Sequence, residues 1–190
     1  MFKPLSSLLL TVNFLWFNAQ LSDKVKELAK PLDSISYAES SRIGVGGEES
    51  EIYNQFRQLA KVASNDELYY FAKNGSNALR VYSAEELWKR NDKRFFDIYT
   101  FYSQNPRIIK YTKGCLGDHK NIAEFMKDEV YFTKEIISFK NVLLAKKKSS
   151  DPIIKIQLQQ IKDLGYSGIT VKSITYAVKQ MDEIDTKFQN

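Results

Sequence analysis

Three features of this sequence predict an all-α fold. Apolar side chains recur every three or four positions through most of the chain, the spacing of one helix face. Only 8 Gly and 4 Pro occur in 190 residues, too few for the many turns of an all-β fold. Hydrophobic residues make up 43% and aromatics 13%, enough for a packed core and too many for a disordered chain.

Lys3 is the first charged side chain, and no other occurs until Asp23. Residues 5–17 are rich in Leu and aromatics, and the segment ends Phe17-Asn18-Ala19-Gln20. That layout predicts a secretory signal peptide over residues 1–19, cut after Ala19, although Phe17 is larger than the residue usual at its place. The run is short for a membrane span, so no span is expected after cleavage. The alternative is an uncleaved amphipathic first helix packed on the core of a cytoplasmic protein.

Residues 20–47 read as a short helix over 23–30, stopped by Pro31, and a connector ending Gly44-Val45-Gly46-Gly47. From 48 to 146 the pattern is helical. Ile52, Phe56, Leu59 and Ala63 form one face. Ser64, three before Glu67, is a capping box that starts a helix over 66–73. A third helix, 77–90, carries the stripe Leu79, Tyr82, Ser83 and Leu87, and a fourth carries Phe95, Ile98, Tyr99 and Tyr102. Asn105-Pro106 opens the next, since Pro suits a first helical turn. Residues 114–119 form a loop or helix end, and 121–146 one long helix or two. Residues 147–190 supply C-terminal helices packing on the same domain. Over 152–163 the spacing fits strand and helix alike, and helix is preferred because no second strand is expected to pair with it.

A shift of 29 residues lays Asn77-Ala78-Leu79-Arg80-Val81-Tyr82-Ser83 over Pro106-Arg107-Ile108-Ile109-Lys110-Tyr111-Thr112. Such a period predicts a short α-solenoid of stacked helix pairs. Leu79-Arg80, Ser83 and Leu87 resemble the second helix of a HEAT repeat, with Glu86 standing where that pattern has Ala. The span 48–132 also resembles small exported HEAT-like proteins of Bacteroidetes. That resemblance implies a structural role for Arg80, at a contact between repeats, paired with an acid of a neighbouring helix.

The net charge is +5. Basic residues interleave with acids, as in Glu85-Glu86-Leu87-Trp88-Lys89-Arg90, a solvated surface rather than a nucleic-acid stripe. Cys115 is the single cysteine and His119 the single histidine, with Asp118 between them. On a helix the thiol and imidazole would share a face, and the imidazole would activate the thiol. Gly114 and Gly117 weaken a helix there, so the competing expectation is a Cys115 packed inward. Too few ligands are spaced for a metal, and no phosphate-binding loop is present, so neither metal nor cofactor is expected. Tyr70, Phe96 and Phe101, beside Arg94, are candidate surface aromatics for binding a protein or other ligand; equally, packing on both helix faces would bury them. The sequence thus predicts an exported, periplasmic or extracellular, non-catalytic binding module with a protein partner. The alternatives are a small thiol-dependent enzyme built on Cys115 and His119, or a cytoplasmic immunity-type binder.

Overall fold

The computed structural model describes residues 21–146 and 151–188. The expected leader, residues 1–19, lies outside the described residues. The described residues hold eight α-helices: α1 (Asp23–Ala29), α2 (Glu51–Ala60), α3 (Asn65–Asn74), α4 (Asn77–Lys89), α5 (Arg94–Gln104), α6 (Ile122–Ala145), α7 (Pro152–Asp163) and α8 (Val171–Phe188). Four strands join them: β1 (Tyr37–Ile43), β2 (Glu48–Glu49), β3 (Ile108–Gly114) and β4 (Leu116–Asn121). They form one mixed sheet in the order β2-β1-β3-β4, in which β1 and β3 run parallel and the outer pairs antiparallel.

The sheet overturns the all-α solenoid. The chain is a mixed α/β fold. The proposed repeat lays part of α4 on part of β3, so the two copies do not share a structure. In β3, Ile109 is 2% exposed and its neighbours Ile108 and Lys110 face solvent, the alternation of a half-buried strand. Ile109 and Tyr111 thus turn towards the helices, and Tyr111 meets Phe125 of α6 with ring centroids 4.8 Å apart. Gly114, with φ of +58°, begins the tight reversal into β4.

Helix α4 is the centre of the molecule. Leu79, Tyr82, Ser83 and Leu87 are all buried, as the sequence stripe predicts, but so are Ala78, Val81, Ala84 and Trp88 on other sides. Small Ala and Ser side chains let α3, α2, α5, α6 and β1 close around it. The Tyr82 hydroxyl ties it to the sheet, donating to the Glu39 carbonyl at 2.9 Å and accepting from the Glu39 N–H at 2.8 Å. Trp88 Nε1 donates to Thr133 Oγ1 of α6 at 2.9 Å. The last helix, α8, closes the core with Ile174, Ala177 and Met181, and Asp185 accepts from Tyr99 at 2.7 Å. By contrast α7 packs with the far half of α6 in a separate small cluster of Leu143, Ile154 and Ile161.

The capping box at α3 does more than the sequence implies. The Glu67 carboxylate accepts from Ser64 N at 2.8 Å and also from Ser22 N at 2.8 Å, so it fastens the start of α1 to the start of α3. Burial pushes its pKa up, but these hydrogen bonds outweigh burial and hold it below the ordinary value. Glu67→Ala is expected to cost about 1–3 kcal/mol by urea unfolding at pH 7, since two amides lose their acceptor. A carboxyl depressed on folding contributes stability that is present above its unfolded pKa and lost as pH falls through its folded one. The gap between wild type and variant should therefore narrow below about pH 4. A variant as stable as wild type would show that the bridge is immaterial.

A charged cluster between two clefts

Helix α4 places Glu85 and Lys89 four residues apart on one face. Elsewhere in the chain such a pair would be solvated. Here their side chains are only 12% and 11% exposed, and the Lys89 ammonium is ion-paired to Glu85. Lys89 Nζ also donates to Tyr53 Oη of α2 at 3.3 Å. It stands 5.9 Å from the centroid of the Tyr53 ring and 5.4 Å from that of Tyr166. Burial opposes the charge on Lys89, yet Glu85, Tyr53 and Glu129 outweigh burial and keep it protonated.

Glu129, on α6, completes the cluster. Its Oε1 accepts from the Tyr166 hydroxyl, which the short 3-10 turn Tyr166–Gly168 presents. Burial and then the Glu85 charge push the Glu129 carboxyl up to about 7, partly offset by Lys89. Burial and the same carboxylates push Tyr166 up, so it remains a neutral donor. Tyr111 of β3 is raised for like reasons. Five separate pieces of chain thus meet around Glu85, Glu129 and Lys89, and Lys113 of β3 is the further cation that acts on Glu129.

A cleft opens on either side. The first, about 340 Å³, lies among α2, α4 and the turn after α7. Tyr53, Tyr82, Glu85 and Lys89 belong to its lining, together with Arg57 and Lys61. Arg90 also lines it but is consumed structurally: it pairs with Glu86 at 2.8 Å and donates to the Ala63 carbonyl at 2.9 Å and the Ala60 carbonyl. Arg57 and Lys61 are exposed, and among the described residues neither pairs with a carboxylate. The second cleft, about 220 Å³, lies between the β3–β4 hairpin and α6, with Glu129 in its wall.

The residues singled out from sequence lie elsewhere. Cys115 is exposed in the reversal between β3 and β4. His119 is exposed on β4, paired in register with Lys110. Residues 116–121 are strand and not helix end, so the shared helical face does not exist. Four residues of extended chain span about 13 Å, and the geometry does not bring thiol and imidazole together. Asp118 turns to the other face, into the second cleft, and accepts from the His119 N–H at 2.7 Å. Tyr70 is 36% exposed. Phe96 is partly covered by Tyr176 of α8, at 5.6 Å between centroids, and Phe101 by Tyr102 at 5.0 Å. Arg94 is held by Asp92 at 2.7 Å and by Asp66. These four do not form one surface of exposed aromatics. Arg80 donates to the Gly75 carbonyl at 2.6 Å and to Tyr102 Oη at 2.8 Å. Its partners are thus a carbonyl and a phenol, and not the acid of a neighbouring helix that the resemblance implies.

Among the described residues, no group of three or more His, Cys, Asp or Glu is placed to hold a metal ion. None of their helices is long and apolar enough to cross a membrane. No protein-family model, curated protein or solved structure matches the chain.

Proposed function

We propose that the protein is a non-catalytic, exported binding module that takes a small anionic ligand in the cleft among α2, α4 and the turn after α7. One observation carries this reading: a nearly buried Lys89–Glu85 pair forms part of the wall of a cleft that Arg57 and Lys61 line without carboxylate partners of their own. With Lys89 matched by Glu85 and Arg90 by Glu86, the cleft retains two cations against Asp163. Tyr53 adds an aromatic wall with a hydroxyl, the mix of apolar surface and few polar groups typical of ligand sites. The apolar run after Lys3 supports export.

Calorimetric titration with succinate and with inorganic phosphate tests the reading. At least one should bind saturably, and affinity should fall with added salt. The double substitution Arg57→Ala, Lys61→Ala should weaken binding by at least about tenfold, since each charge-assisted hydrogen bond is worth about 1.5–3 kcal/mol. Equal binding by wild type and variant would overturn the assignment of the cleft. A native N-terminus that retains Met1 would remove export from it.

A further inference from the structure

We infer that the second cleft, between the β3–β4 hairpin and α6, is a binding site for a small organic ammonium ion. It shares no lining residue with the first cleft and does not depend on the anion reading. Its volume of about 220 Å³ is below the ~300–1,000 Å³ of drug-sized pockets, so its ligand is small. The rings of Tyr111, Phe125 and Phe132 line it. Such rings present negative faces that attract weakly hydrated cations.

The charges in this cleft ask for a cation. Lys120 is matched by Asp128, its ion-pair partner at the rim. With Lys89 matched by Glu85, the carboxyls of Glu129 and Asp118 face one unpaired ammonium in this wall, Lys113. Glu129 uses one oxygen for the Tyr166 hydroxyl, and among the described residues no hydrogen bond reaches its other oxygen. Lys113 makes no ion pair among the described residues, and its Nζ rests 4.8 Å from the centroid of the Phe132 ring. The wall therefore already draws a cation onto an aromatic face, and the Lys113 stem is long enough to give way to another. An ammonium ligand would supply the positive charge this wall lacks and replace the proton that Glu129 otherwise takes up near neutrality.

The test compares choline with its uncharged isostere 3,3-dimethylbutan-1-ol, by ligand-observed NMR titration at pH 8. Saturable choline binding is expected, with the alcohol at least about tenfold weaker. Glu129→Gln keeps an acceptor for Tyr166 and should weaken choline about tenfold, as should Phe132→Leu, which removes the ring. Lys113→Met should strengthen it, because the internal competitor is gone. Arg57→Ala should leave it unchanged, which separates this site from the anion cleft. Equal binding of choline and the alcohol to the wild-type protein would overturn the inference. So would an absence of saturation by choline, or choline affinity unchanged in Glu129→Gln.

Discussion

Lys89→Met is expected to destabilise the protein by about 3–5 kcal/mol at pH 7, measured by urea unfolding. The figure follows from what is left behind. Met fills much of the volume of the lysine stem, so little packing is lost. Glu85, 12% exposed, then loses its only ion-pair partner among the described residues. Glu129 loses the cation that partly restrains its pKa. Two carboxyls then share a poorly hydrated space with no ammonium between them, and one must take a proton or the helices must part. Stability of the variant should consequently fall more steeply with rising pH than that of wild type. Adding Glu85→Gln to Lys89→Met should recover most of the loss, because a buried pair removed whole costs far less than a pair broken. A single variant within about 1 kcal/mol of wild type would show that water reaches Glu85 freely and that the cluster is an ordinary surface pair.

The same cluster marks where the sequence stops being readable. Local signals served the helices well. Ser64 with Glu67 starts α3, and the stripe Leu79, Tyr82, Ser83 and Leu87 lies in the core. The sheet escaped because its information is not local. Strand β1 has one fully buried side chain, Ala38, among Tyr, Glu, Ser and Arg, so no apolar alternation announces it. It becomes a strand by pairing with β3, Tyr37 beside Lys110, across four intervening helices. With residues 37–43 read as a connector, β3 has no visible partner, and the Pro106 break before Ile108-Ile109 reads as a helix start. The site escaped for a related reason. Glu85 and Lys89 stand at the spacing of a solvated helix pair, and the mixed signs of 85–90 read as surface. A signal was nevertheless present in α4. Val81, Ala84, Leu87 and Trp88 occupy several sides of the helix, which leaves little room for a solvent face. Glu129 likewise stands among Phe125, Met126, Val130 and Thr133, an acid on an apolar stripe. Charge within an apolar pattern, rather than charge as such, was the clue.

Glu129→Gln is expected to make the protein more stable at pH 8 and to leave it nearly unchanged at pH 4. The Glu129 carboxyl rises on folding from its ordinary 4.5 to about 7, with burial the larger cause and Glu85 the next. Folding therefore takes up a proton wherever the pH lies between those values. A group that binds more protons folded than unfolded makes stability fall as pH climbs through that window. Glutamine carries no charge to bury and still offers an oxygen to the Tyr166 hydroxyl, so the turn at 166–168 stays anchored. Urea unfolding at pH 4, 5, 6, 7 and 8 should show wild type losing stability across the upper range while Glu129→Gln stays flatter. The other groups facing this carboxyl are Glu85 and Lys89 from α4, Lys113 and Tyr111 from β3, and Tyr53 from α2. Glu85 is the other carboxylate that faces it, and its charge opposes that of Glu129. Glu85→Gln removes the Lys89 counter-charge and should lower stability at every pH, which distinguishes the two. Parallel pH profiles for wild type and Glu129→Gln would mean that Glu129 is ionised and hydrated in the native protein. Water, and not a proton, would then compensate its charge.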